Sequence, residues 1–375
     1  MKILHIITDT NIGGAGKLLV AVLKNIDRER FDVVVAVPRG SALIPLIEET
    51  GTRVVPTEYG RDKSFEQAAV RELCRVIKAE KPDVVHTHAS LSGRIAAKKC
   101  GVRLRFMTRH CVFDEWQKYS RFPRKQIFGA LSNYLTTNYV ATAEAAKRQL
   151  IDMGCDEKKI TVIQNGSEKL REITPEEKNG LRAALGIPSD AFVVGIAARL
   201  EIYKGHKYLL DALKKLSVNN IYILIVGDGG EMANLKAYAE DLGISDKVIF
   251  AGFQSDMALY YGIMDVGANC SFGTETTPLA ITEAMALGVP SIVSDYGGNP
   301  DTVTNDVDGI VIPQKNADAL AEAIRVLYCD REMLKRLSDS ARATYAKKYS
   351  AEIMTEKLEK LYLSAAESVK ERDKK

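Results

Sequence analysis

The chain has 375 residues, 46% apolar and 27% charged, which is enough for two packed cores rather than one. No apolar run approaches the roughly 20 residues that cross a bilayer. The first residues lack the basic, apolar, small-residue order of a secretory signal, so a cytosolic protein is expected. The net charge of +3 conceals an asymmetry: residues 1–150 carry 25 Lys and Arg against 15 Asp and Glu, whereas residues 151–375 carry 27 against 34. A basic first half suits an anionic membrane or an acidic acceptor. Nucleic acid is not expected, because no recognition-helix motif or aromatic RNA-binding strand accompanies the charge. Six scattered cysteines (74, 100, 111, 155, 270 and 329) form no C-x-x-C pair, so reduced, mostly buried thiols are expected rather than disulfides or a zinc site.

Met1 to Thr8 (MKILHIIT) reads as a strand that ends in the loop DTNIGGAG, after which KLLVAVLKNI has helical spacing. Taken alone, GGAG is no full dinucleotide fingerprint, and an ordinary tight turn explains it equally well. Nicotinamide binding is disfavoured, since no acidic residue follows at the end of a second strand. FDVVVAVP, TRVVPT, PDVVHTH, RLRFMTRH and NYVATA are further strands, interleaved with helical stretches such as SFEQAAVRELCRVIKAE. This alternation implies a parallel sheet covered on both faces. His86 and His88, one residue apart at a strand end, invite a metal reading, but no third ligand is apparent. EWQKYSRFPRKQIFGALSNYL (115–135) mixes Trp116, Phe122 and Phe128 with Lys118, Arg121, Arg124 and Lys125. That mixture is expected either of an interfacial helix on an anionic bilayer or of a half-buried helix with a solvated basic face.

After the polar stretch SEKLREITPEEKNGLRAALGIPSD the pattern restarts with AFVVGIAARL, then NIYILIVGDGG, KVIFAGF, DVGANCS, PSIVSD and GIVIP. The domains expected are 1–170 and 171–350, followed by a C-terminal amphipathic helix, 351–375. The fold class is α/β, with two doubly wound Rossmann-like domains facing a cleft at the carboxyl ends of their strands. Asp306-Val307-Asp308 has the spacing of a D-x-D metal clamp, but Asp308-Gly309 before a strand reads as a turn.

SFGTETTPLAITEAMALGVPSIVSD (271–295) carries the most chemistry. Pro278 suits the first turn of a helix and Gly288 its end, so Glu275 lies in the loop before the helix and Glu283 within it. The free amides of Leu279 and Ala280 at the helix start suit a phosphate, and flanking carboxylates suit sugar or ribose hydroxyls. In GIAARLEIYKGH, Arg199 ends a strand and Lys204 follows in the loop. Two cations at the mouth of a sheet can neutralise a diphosphate that would otherwise need a divalent metal.

Arg199 and Lys204, VGDGGEMANLKAYAE, VIFAGF and the E-x7-E from Glu275 to Glu283 resemble the donor domain of the family-four retaining glycosyltransferases, and the resemblance runs through nearly the whole chain. It implies the GT-B fold, with 1–170 on the acceptor side, 171–350 on the donor side and the helix 351–375 crossing back to the first domain. In donor binding it assigns Arg199 and Lys204 to the diphosphate, Glu283 to the ribose, Glu275 to the hydroxyls of the transferred sugar and Phe253 to the base. It matches Gly13 and Gly14 to the glycine-rich loop that lets backbone approach the donor phosphate and acceptor. His110, in RFMTRHCVFD, matches the position that reaches the donor sugar from the acceptor domain, and completes a catalytic set with Glu275, Arg199 and Lys204. The sequence departs from the family pattern at Ala198, at Thr276-Thr277-Pro278 and at Asp301, without loss of a site charge.

The function expected is a metal-independent, retaining transfer of a hexosyl unit from a nucleoside-diphosphate sugar, UDP-linked, to a glycan or lipid-linked acceptor in surface polysaccharide or glycolipid synthesis. No cofactor is expected beyond this co-substrate, and the protein is expected to sit in the cytoplasm or at the inner face of the cell membrane. The alternatives are a non-hydrolysing nucleotide-sugar epimerase, which should carry more carboxylates in its cleft, and a non-catalytic nucleotide-sugar binding subunit.

Overall fold

The computed structural model describes residues 1–112 and 119–373. The chain divides into two compact units, Met1–Gly166 with Ala351–Lys375, and Ser167–Ser350.

The first unit is built on a seven-stranded parallel sheet: β1 (Lys2–Ile7), β2 (Asp32–Pro38), β3 (Arg53–Thr57), β4 (Val84–His88), β5 (Leu104–Arg109), β6 (Asn138–Ala141) and β7 (Ile160–Val162). The spatial order is β3-β2-β1-β4-β5-β6-β7, so the winding reverses between β1 and β4. Apolar runs such as DVVVAVP, buried at every position but the first, form strands because helices cover both faces of the sheet. One layer of core joins Leu4, Ile6, Val34, Ala36 and Val85 to Val70, Leu73 and Ile77 of the helix Gln67–Glu80. The last helix, Ala351–Asp373, packs against the first helix, Gly14–Asn25, and its buried Tyr362 reaches His86. β7 has only three residues, too few for a periodicity to mark.

The second unit repeats the plan with six parallel strands: β8 (Phe192–Ala197), β9 (Ile221–Val226), β10 (Val248–Gly252), β11 (Val266–Asn269), β12 (Ser291–Ser294) and β13 (Gly309–Ile312). Their order is β10-β9-β8-β11-β12-β13, with the reversal between β8 and β11. The polar stretch that precedes β8 is not merely a break: Pro175–Ala184 is a helix. Thr174 Oγ1 accepts from the Glu177 N–H at 3.2 Å and Glu177 Oε2 accepts from the Thr174 N–H at 2.9 Å, a capping box that holds a helix with no buried residue.

The cysteines depart from expectation. All six are free, but only Cys155 and Cys270 are buried; Cys74 and Cys100 are half-buried, and Cys111 and Cys329 are exposed. Cys74 and Cys100 lie on or beside helices whose outer turns face solvent, where a thiol is not forced into the core.

Candidate active site

In doubly wound sheets the loops after the two strands flanking the reversal diverge and leave a crevice between them. In the second unit those strands are β8 and β11, and their loops carry Arg199–Lys204 and Ser271–Glu275. The Lys204 ammonium donates to Glu275 Oε1, which also accepts from Ser271 Oγ at 2.8 Å. Side-chain exposure is only 15% for Lys204 and 6% for Glu275, so this is a largely dehydrated ion pair. Arg199 is exposed and donates through Nη2 to the Tyr203 hydroxyl at 2.9 Å.

Two glycines make this approach feasible. Gly205 has φ +73°, and a Cβ there would stand 2.2 Å from the backbone oxygen of Cys270. Gly297 has φ +62°, and a Cβ there would stand 2.4 Å from the backbone oxygen of Glu275. Both positions need a left-handed backbone and an absent side chain. Gly205→Ala is therefore expected to cost about 2 kcal/mol or more in urea unfolding and to push Lys204 away from Glu275. A variant as stable as the parent would refute that reading. Thr274, at φ +58°, holds a conformation that costs a β-branched residue about 1–2 kcal/mol, so the surrounding loop over-determines it.

The helix after this loop runs Leu279–Ala286, with Pro278 at its N-cap rather than in its first turn. The first amide with a local acceptor is that of Ile281, bonded to the Pro278 carbonyl at 3.1 Å. The amides of Leu279 and Ala280 thus head the helix without an intrahelical acceptor, where the helix dipole favours an anion. Glu283, one turn on, accepts from the buried Tyr261 hydroxyl at 3.0 Å. Phe253 stands exposed just beyond β10. Asp306 and Asp308 close a turn: Asp306 is left-handed at φ +60°, and the buried Asp308 carboxylate accepts from the Thr304 N–H at 2.7 Å and the Thr344 hydroxyl at 2.8 Å.

In the first unit the loop after β1 is held by Asp62, which accepts from the Thr10 N–H at 3.0 Å, and by Ser41, whose hydroxyl donates to the Asp9 carbonyl at 2.7 Å. Burial, then the neighbouring Asp62, pushes the Asp9 carboxyl up. Gly13 caps the first helix at a negative φ, and a Cβ on Gly14 would meet nothing within 4 Å. The fold itself does not require glycine at either position.

Four histidines gather on one face of this sheet. β1 lies beside β4 with His5 opposite His86, and β5 leads directly into His110. His110 Nε2 meets His88 Nδ1 at 2.8 Å, and His88 Nε2 meets His5 Nδ1 at 3.0 Å. His86 bonds Tyr362 through Nδ1 at 2.5 Å and Thr108 through Nε2 at 2.6 Å. Burial holds every one of these imidazoles neutral: His5 falls to about 3, His86 and His88 well below the usual range, and His110, with help from Arg109, to about 4. His5 is the third imidazole that the spacing of His86 and His88 could not reveal, and the ring nitrogens of the three lie within 4.8 Å of one another. Both nitrogens of His86 and both of His88 already make hydrogen bonds, so the group is a bonded ladder rather than an open ligand set.

Residues 115–118 of the basic-aromatic segment, with Trp116 and Lys118, fall outside the described residues. Beyond them the helix Arg124–Leu135 buries Gly129, Ser132 and Leu135 and turns Ile127 (65% exposed), Leu131 (48%) and Tyr134 (62%) outward. Phe122 before it is 83% exposed. A Cβ on Gly129 would stand 2.3 Å from the Gly154 carbonyl oxygen, so this backbone approach fixes which face looks out. Neither sequence-based alternative, an interfacial helix nor a helix with a solvated basic face, specified an apolar stripe facing solvent.

The family model for glycosyl transferases group 1 matches residues 177–344, and that for glycosyltransferase family 4 matches residues 12–168. The chain belongs to this glycosyltransferase family. The UDP-Gal:alpha-D-GlcNAc-diphosphoundecaprenol alpha-1,3-galactosyltransferase of Escherichia coli is 27% identical to it, with 97% of each chain covered. The alpha-monoglucosyldiacylglycerol synthase of Acholeplasma laidlawii is 28% identical over 78% of each. The crystal structure of Anabaena Alr3699/HepE in complex with UDP superposes with a TM-score of 0.85 at 23% identity, covering 97% of this chain and 100% of that one, and shows the same GT-B fold.

Some residues of the glycosyltransferase escaped the sequence reading. Asn269 at the end of β11 accepts from the Ser271 N–H at 3.1 Å, Ser294 at the end of β12 donates to the Ser271 carbonyl at 2.5 Å, and the fully buried Asn299 donates to Ser294 Oγ at 3.0 Å. This polar network holds Ser271, and through it Glu275, in one geometry. Common polar residues from separate segments carry no spacing signal, so only the strand order could have found them.

Proposed function

We propose that this glycosyltransferase moves a hexosyl unit, with retention and without a metal ion, from a UDP-sugar to a lipid-linked or glycan acceptor of surface polysaccharide or glycolipid synthesis. The observation that carries the donor reading is the Lys204–Glu275 pair, which joins the loops after β8 and β11 at the reversal, with Arg199 in the first loop and Leu279, Ala280 and Glu283 in the helix that follows the second. In this reading Arg199, Lys204 and the helix start hold the diphosphate, and the two cations take the place of a magnesium ion. Glu283 binds the ribose, Glu275 the sugar hydroxyls and Phe253 the base. Gly13 and Gly14 leave room on the acceptor side, and His110 meets the transferred sugar. The leaving diphosphate takes the acceptor proton, so no protein nucleophile is required. The relatives named for UDP-galactose, diphosphoundecaprenol and diacylglycerol support this choice of donor and acceptor.

UDP and UDP-hexoses are expected to raise the melting temperature in a ligand screen. Acceptor-dependent UDP release that survives EDTA, with the α-anomer conserved in the product, is the expected turnover. Donor isomerisation without acceptor would mark an epimerase, and binding without turnover a silent subunit; either result would overturn the proposal.

The outward stripe Ile127, Leu131 and Tyr134 lies beside Arg121, Arg124 and Lys98, whose Nζ stands 4.3 Å from the Tyr134 ring centre. This pattern fits an anionic bilayer, with cations at the headgroups and apolar side chains below them. No described helix is long and apolar enough to cross a membrane, so the attachment proposed is peripheral, at the inner face of the cell membrane. Sedimentation with phosphatidylglycerol vesicles should capture the protein, 0.5 M salt (roughly a threefold shorter screening length than at 0.05 M) should release it, and Ile127→Ser with Leu131→Ser should abolish capture. Equal capture by zwitterionic vesicles would sink the idea.

A further inference from the structure

Arg94 lies in the helix Leu91–Lys99 and is turned inward, with only 8% of its surface open to solvent. Its Nε is buried without a partner, and among the described residues its guanidinium makes no hydrogen bond or ion pair. The ionisable groups near enough to act on its charge are Tyr139, Cys155 and Arg109, none of them a carboxylate. Two of these could in principle turn anionic, but neither does. Burial pushes the Cys155 thiol up, and burial together with Cys155 pushes the Tyr139 phenol up, so both stay neutral near pH 7. The third is a cation of the same sign. Arg109, half-buried at the end of β5, donates through Nη2 to Gln149 Oε1 at 2.9 Å, and its charge works against that of Arg94.

A lysine or histidine in such a place could shed its proton, but a guanidinium cannot. A buried cation without a counter-charge is strongly unfavourable, and an apolar side chain would fill the same space at no electrostatic cost. An anion brought in from outside restores the balance. The planar fork of arginine matches the oxygens of a phosphate, and two neighbouring guanidinium groups suit its double charge better than the single charge of a carboxylate. The surroundings indicate where such a phosphate comes from. One turn along the same helix, Lys98 Nζ stands 4.3 Å from the ring centre of Tyr134, on the outward apolar stripe. At the other side, Arg109 directly precedes His110 in the chain. Arg94 therefore connects the surface assigned to the bilayer with the strand end assigned to the sugar.

We propose that Arg94 and Arg109 form a binding site for a phosphate group, and that in the proposed transfer this phosphate belongs to the lipid-linked acceptor. The acceptor assignment rests on the reading of the protein as a transferase working at a membrane; the phosphate site itself does not.

The test is thermal unfolding of the full chain at pH 7.5 with UDP in excess, in the presence of n-hexyl phosphate, inorganic phosphate or the uncharged n-hexyl glucoside. Comparing the parent with Arg94→Met cancels any phosphate taken up elsewhere, at the donor site above all. At a hundredfold excess over its Kd, hexyl phosphate should raise the melting temperature of the first unit by about 5 °C. Hexyl glucoside should leave it unmoved, and Arg94→Met should remove the rise. Arg94→Lys keeps the charge but not the fork, should bind about tenfold more weakly, and decides the matter should Arg94→Met fail to fold. With donor supplied, the KM for a phosphate-linked acceptor should rise about tenfold in Arg94→Met while kcat and the donor KM stay within about twofold, and an acceptor on a neutral aglycone should show no difference. Equal affinity for hexyl phosphate in the parent and the variants, or none in the parent, overturns the site. Inorganic phosphate binding as tightly as hexyl phosphate upholds the site and overturns its assignment to the acceptor. Binding that depends on Arg94 in a protein without transferase activity upholds the site and counts against the proposed function instead.

Discussion

Lys204→Ala is expected to destabilise the second unit by about 3–5 kcal/mol and to abolish donor binding, the first effect following from what the lysine leaves behind. Glu275 keeps the Ser271 hydroxyl as its partner but loses its counter-charge in a site where the carboxylate is nearly dehydrated. Adding Glu275→Gln removes the orphaned charge and should recover most of the stability, since an amide oxygen can still accept from Ser271. Donor binding should remain lost in the double variant, because both variants lack the cation proposed to hold the diphosphate. Urea unfolding of the four proteins closes the cycle. A deficit under about 0.5 kcal/mol for Lys204→Ala would show that the pair carries little, as exposed pairs do.

The types and places of Arg199, Lys204, Glu275 and Glu283 are legible in the sequence because strand–helix alternation puts the first three in loops that follow strands and Glu283 in the helix after such a loop. That Lys204 and Glu275 bond each other is not legible. It follows from β8 lying beside β11 and from the close passage of Gly205 by Cys270, both of which depend on strand order. The histidine ladder is hidden for the same reason: His5 and His86 are remote in sequence and meet only because β1 pairs with β4 in the register that opposes them. For the helix Arg124–Leu135, periodicity shows that Ile127, Leu131 and Tyr134 share a stripe. It cannot say that the stripe faces out, because Gly154 packing against Gly129 settles that. Long buried strands were readable from runs of Val and Ile; β7, with three residues, was below the length at which a pattern exists.

Acidification should weaken the two units unequally. His5, His86, His88 and His110 all lie in the first unit and are held neutral far below the pH at which an unfolded histidine gains its proton, near 6.5. Their contribution is complete above pH 6.5 and is lost as pH falls toward the folded values, because the unfolded chain then binds protons that the folded chain refuses. Between pH 7.5 and pH 5.5 each costs about 1.4 kcal/mol, so the four together cost about 5 kcal/mol, comparable to the stability of a whole domain. Asp9, with its raised carboxyl, works in the opposite sense but is one group against four. The second unit has only His206, lowered to about 4 by burial and then by Lys204, and against it the raised carboxyl of Asp265. With one such histidine against four, its stability should fall by only about 1.4 kcal/mol over the same interval. Calorimetry at the two pH values should therefore show one transition moving down steeply and the other only slightly, with limited proteolysis at pH 5.5 cutting the first unit first. His206→Asn should leave the steep transition's pH dependence intact, whereas His5→Asn should reduce its slope by about one proton. Parallel shifts of both transitions, or earlier loss of the second unit, would mean that the buried imidazoles do not govern acid stability.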